Sequence, residues 1–130
     1  MDRRPTIVET YWLVTITPAG RPHATPVWGV WIACALYLDG IPTARWARNL
    51  ANDPCAVIHL ESGIDVIVLD GEVAETHTDF ATGTEIVARW RAKYGRLEPE
   101  PVGRGLFCFR PSVGRAWSRF PHDGTRWRFG

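Results

Sequence analysis

Short runs of β-branched and aromatic residues, each closed within a few positions by glycine or proline, recur along most of this chain. "TYWLVTIT" (10–17) stops at "PAGRP", "HATPVWGVWIA" (23–33) resumes, and "ALYLD" (35–39) follows after a short turn. "CAVIHLE" (55–61) and "DVIVLDGEVAET" (65–76) are separated only by "SGI", which is hairpin spacing. "GLFCFRP" (105–111), "GRAWSRF" (114–120) and the closing "TRWRFG" have the same character. Strands this closely spaced have room for tight reversals but not for helical crossovers, which argues against a parallel βαβ sheet. The pattern predicts a mainly β fold: an antiparallel barrel, closed or nearly closed, of about six to seven strands.

Two interruptions refine that expectation. Pro26 and Gly29 lie inside the second run. Proline cannot donate to a ladder and glycine marks bulges or close backbone approach, so this strand is broken or edge-like around 26 to 29. The longer of two helices starts at Asp79 in "DFATGTEIVARWRAKYG". Phe80, Val87, Trp90 and Tyr94 form its expected apolar stripe, Arg89, Arg91 and Lys93 fall mostly outside it, and Gly95 is a natural C-cap.

The shorter helix falls in "IPTARWARNLANDP" (41–54), with Thr43 as the expected N-cap, Ala44 to Ala51 as helix formers, and Asn52-Asp53-Pro54 as the stop. Arg45 and Arg48 are three apart and therefore share a face near the helix N-terminus. Cations there oppose the helix dipole slightly, whereas an oxyanion bound to both would gain charge-assisted hydrogen bonds. The plainer alternative is that both arginines are solvated, or pair with Asp39 or Asp53.

Length and composition limit the function classes. The 130 residues fit one domain, 1–130, with a single core. A net charge of +1 supplies no broad field for nucleic acid. No apolar run approaches a membrane span, and "MDRRPTIVET" has no secretory apolar region. Cys34, Cys55 and Cys108 are widely spaced, as are the four histidines, so no metal-ligand spacing occurs. Buried, reduced thiols in a cytoplasmic, metal-free protein are the expectation. Phosphate-cradling glycine motifs are absent. There is no visible triad or carboxylate pair, and catalytic residues are unknown at this stage. Seven tryptophans exceed what one small core hides, which favours association.

"GRPHATPVWGVW", then "ALYLDGIPTARWARNLANDP", then "DVIVLDGEVAE", with "TRWRF" near the end, resembles the pyridoxamine 5′-phosphate oxidase-like family of flavin and deazaflavin split β-barrels. The resemblance covers roughly residues 10 to 130 and rests on the order of its pieces. It implies a split-barrel homodimer with cofactors at the subunit interface, FMN or coenzyme F420. Cofactor contacts are implied at Pro26, Val27 and Trp28, and near a phosphate at Thr43, Arg45, Arg48 and Asn49. Trp127, with Arg128, would complete the partner's site or else form a simple edge strand. The implied activity is hydride transfer to or from a small organic substrate, with the protein binding and orienting the cofactor. A non-catalytic flavin- or deazaflavin-sequestering protein is the alternative. Trp46 stands where many members of the family have lysine. An indole cannot neutralise phosphate, so Trp46 is expected to cover a ring or line a tail groove, and the tailed deazaflavin becomes comparable to FMN. The arm before the first strand is short by the family's standard. His59, alternating with Cys55 and Val57, reads as a satisfied or interface histidine before a proton donor.

Overall fold

The computed structural model describes residues 10–95, 105–118 and 123–130. Its elements are β1 (Tyr11–Ile16), β2 (Pro22–Val27), β3 (Gly29–Ile32), β4 (Ala35–Asp39), α1 (Arg45–Asn52), β5 (Cys55–His59), β6 (Val66–Glu75), α2 (Phe80–Tyr94), β7 (Leu106–Trp117) and β8 (Thr125–Arg128). Eight strands form where six to seven were expected, and the run 23–33 holds two of them, broken at Trp28 as Pro26 and Gly29 anticipated. The opposite correction applies at 105–117, where two expected strands are one. Residues 96–104, and residues 119 and 120 of "GRAWSRF", lie outside the described residues.

All pairings are antiparallel, in the order β2-β1-β5-β6-β7-β4-β3, with β8 added to β7. The first and last strands of that order, β2 and β3, are joined through Trp28 alone. One residue cannot cross the width of a flat seven-strand sheet, so the sheet must curl until its edges meet. The result is a split antiparallel barrel.

β7 stays continuous through Pro111 because the proline falls where no regular ladder is lost. β4 pairs β7 at 106–109 and β8 pairs it at 113–116, so Pro111 lies in the gap between them. On its other side Pro111 faces Gly71, where the register of β6 shifts. Proline is tolerated at such irregularities.

Alternation explains the core. Tyr11, Leu13 and Thr15 of β1 point inward, as do Ala56 and Ile58 of β5. β4 is buried on both faces: Leu36 and Leu38 enter the barrel, while Ala35 and Tyr37 lie under α2 with Val30, Ile86, Trp90 and Leu106. That two-sided burial accounts for the uninterrupted apolar run "ALYL".

α2 begins and ends as expected. Asp79 accepts from Thr82 N at 2.7 Å, which holds its carboxyl below the usual range, and Gly95 adopts the left-handed conformation at φ 78°. The buried stripe is different: Gly83, Ile86 and Trp90 face the sheet, whereas Phe80 is 89% exposed. At 3.6 residues per turn Phe80 lies about a quarter-turn from the centre of that stripe. The thiols also differ from expectation. Cys108 is buried, but Cys34 occupies the β3–β4 turn and Cys55 the outward face of β5, both exposed. A thiol in an apolar run still alternates with the strand.

Candidate functional site

α1 is built to hold two arginines outward. Its inner face carries Trp46, Ala47, Asn49 and Leu50, all buried. The helix packs on β1 and β6. Arg45 and Arg48 therefore face solvent, with Thr43 exposed beside them in the preceding turn. Among the described residues neither guanidinium has a hydrogen-bond or ion-pair partner, so the expected alternatives Asp39 and Asp53 are not used. Asp53 instead accepts from Cys55 N at 3.0 Å, and burial raises the Asp39 carboxyl above its ordinary range. Thr43 is not the cap. Ala44 is, with no side-chain hydrogen bond, so among the described residues no capping side chain meets the N–H groups of the first turn.

The remaining sequence-predicted residues are dispersed. Trp46 is 8% exposed and meets Phe107 edge-on at 4.8 Å, inside the barrel. Gly40 makes that position possible, because a Cβ there would enter the indole. The expectation that Trp46 covers a cofactor ring gives way to a packing role. Asn49, 1% exposed, donates through Nδ2 to Thr15 Oγ1 at 3.1 Å, and its side chain points into the protein. Val27 is buried in the same core, and Pro26 lies exposed on β2. Trp28 stacks on Tyr94 of α2, with ring centroids 4.2 Å apart and planes 3° from parallel. Trp127 lies against Gly114, where any larger residue would collide with the indole. Thr43, Arg45 and Arg48 are thus brought together, and the other six are not.

His59 stacks on Trp12 at 6.3 Å, and one ring nitrogen lies 2.9 Å from Leu60 O, in keeping with a satisfied histidine. Among the described residues no cluster of His, Cys, Asp or Glu could hold a metal ion.

A second feature went unread in the sequence. A cavity of about 710 Å³ opens between the barrel and α2, lined by Tyr11, Trp31, Trp127 and Phe129 with Arg89 and Lys93 at its polar side. Lys93, expected on the solvent face, is half-buried. Its Nζ donates to Tyr11 Oη at 3.0 Å and to Gly29 O at 2.8 Å. Tyr94 Oη accepts from Gly29 N at 3.0 Å and donates to Gly29 O at 3.1 Å, so α2 pins the barrel seam beside Trp28. Burial first, with the neighbouring Tyr94, pushes the Tyr11 hydroxyl up to about 12. The spacing of Arg89 and Lys93, four apart, was the one signal available.

The architecture belongs to the split β-barrels, and solved structures share it. No protein-family model and no curated protein matches the chain. A structure named F420 Reductase is similar, with a TM-score of 0.63 and 19% identity, over 82% of this chain and 89% of that one. A pyridoxamine 5′-phosphate oxidase-related, FMN binding protein from Nostoc punctiforme PCC 73102 gives 0.65 and 14%, over 92% and 80%. HutZ, the heme storage protein from Vibrio cholerae, gives 0.64 and 20%, over 81% and 82%. The fold is therefore that of pyridoxamine 5′-phosphate oxidase-like, F420 reductase and heme-binding split barrels.

Proposed function

We propose that this chain binds FMN or the deazaflavin coenzyme F420 as a cytoplasmic homodimer and acts as an oxidoreductase on a small organic substrate. The observation that carries the reading is the outward turn of α1, with Arg45, Arg48 and Thr43 exposed together above uncapped helix N–H groups. Two guanidiniums and free backbone donors suit a phosphate, which both cofactors carry. The bound cofactor would supply hydride transfer, and the chain would supply binding and orientation. A dimer is supported by the outward face of β1 and β5, where Trp12, Val14, Ile16 and Val57 are all part-exposed and adjacent in register. No helix among the described residues is long and apolar enough to cross a membrane.

Titrating the purified protein separately with FMN and F420, by absorbance and calorimetry, tests the reading, with heme as the control ligand. Saturable binding of one of the first two, lost in Arg45→Ala/Arg48→Ala, is the expected result. Binding without turnover of any hydride acceptor would favour the sequestering alternative. Failure of both cofactors to bind, or tight binding of heme alone, would overturn the proposal. Sedimentation equilibrium checks the dimer against a 14.6 kDa monomer.

A further inference from the structure

The cavity beneath α2 shares no lining residue with α1. Its walls are aromatic and aliphatic, and among the described residues that line it the charged side chains are the cations Arg89 and Lys93. Being four apart, they are presented by one face of α2. Arg89 gives Nε to Glu85 at 2.9 Å and Nη1 to Trp31 O at 3.3 Å, leaving Nη2 without an acceptor among the described residues. Tyr11 is 4% exposed, and its hydroxyl oxygen accepts from Lys93. The hydrogen of that hydroxyl meets no acceptor among the described residues. The hydroxyl is part-buried at the cavity wall, where a ligand acceptor can reach it. Burial also keeps it protonated, as the rise to about 12 indicates.

We propose that this cavity binds a flat, apolar molecule bearing a single carboxylate, an aryl carboxylate. One carboxylate oxygen takes the Tyr11 O–H and the other the free edge of Arg89, while the rings lie against Trp31, Trp127 and Phe129. Two uncommitted donors match the two oxygens of a planar carboxylate. The four aromatic side chains favour rings over an aliphatic chain through stacked and edge contacts. A volume of about 710 Å³ lies within the range of small-molecule pockets.

The test is calorimetry and tryptophan fluorescence on the full chain, with 2-naphthoate and the neutral 2-naphthalenemethanol as probes. Wild type is expected to bind naphthoate in the micromolar range and the alcohol about tenfold more weakly. Tyr11→Phe and Arg89→Gln should each weaken naphthoate about tenfold and leave the alcohol unchanged. Arg89 is exposed, so its variant stays informative even if Tyr11→Phe folds poorly. Ala92→Trp, at an exposed position on the cavity wall, should abolish binding of both probes while near-ultraviolet circular dichroism stays native. The proposal is overturned by absence of saturable naphthoate binding, by equal affinity for the two probes, or by unchanged affinity in Arg89→Gln. Loss of naphthoate binding in Arg48→Ala would place the probe at α1 and overturn it as well.

Discussion

Asn49 Nδ2 donates to Thr15 Oγ1 across 3.1 Å, tying α1 to β1 where both side chains are shut off from solvent. The buried face of the helix centres on Trp46, Ala47 and Leu50 with Asn49 at its edge, so Arg48 points directly away from the barrel and Arg45 lies at the exposed border one turn before Asn49. Replacing Asn49 with Leu strands the Thr15 hydroxyl in the core, at a cost of about 1–3 kcal/mol. Denaturant unfolding should show that loss. Thr15→Val/Asn49→Leu should recover part of it, because paired apolar groups need no partner. Were Asn49 a direct phosphate ligand, Asn49→Leu would weaken cofactor binding at unchanged stability.

Arg48→Ala should behave in the opposite way. The guanidinium is exposed and without a partner among the described residues, so the apo protein should melt within about 0.5 kcal/mol of wild type. A charge-assisted contact to phosphate is worth about 1.5–3 kcal/mol, so cofactor affinity should fall tenfold or more. Arg45→Ala should act likewise. A lower melting temperature with unchanged affinity would make both arginines structural.

What the sequence disclosed follows from which interactions are local. Antiparallel strands joined by short turns print their period directly, and Asp79 and Gly95 mark the ends of α2 with residues suited to those caps. The break at Trp28 was legible because Pro26 and Gly29 disrupt a ladder wherever they occur. That Trp46 packs into the barrel and does not cover a ligand was not legible, since an indole suits either a core or a ring-binding surface. The vacancy above Gly40 is what admits the indole. Lys93 looked like solvent decoration because Tyr11 and Gly29, its acceptors, lie 82 and 64 positions away in the chain.

Tyr11 gives a pH dependence with a defined sign. Its hydroxyl titrates near 10 when unfolded and at about 12 in the native protein. Below pH 10 both states hold the proton and stability is unaffected by this group. As pH rises from there toward 12, the unfolded chain releases its proton first, so native stability falls. Tyr11→Phe should flatten that part of the profile, leaving the slopes from Tyr37 and Cys108, which burial also raises, and from Cys55, which Asp53 raises. Unfolding free energies of both proteins at about pH 9 and about pH 11 provide the check. An identical decline in the two would mean that Tyr11 is not held protonated.

Trp46 tests whether the departure at that position selects a cofactor or fills the core. The indole is 8% exposed, packs against Phe107 and lies over Gly40. Truncating a buried tryptophan costs about 3–5 kcal/mol, and Trp46→Lys adds the burden of placing an ammonium in an apolar interior. That variant should therefore unfold at markedly lower denaturant. Its affinities for FMN and F420 should fall by one common factor, set by the fraction of folded protein. Gly40→Ala provides an independent reading, because its methyl would push into the same ring without touching any charge. It should destabilise by about 1–3 kcal/mol. If Trp46→Lys instead kept its stability and gained affinity for FMN while losing it for F420, the side chain would face the ligand and the packing assignment would fail.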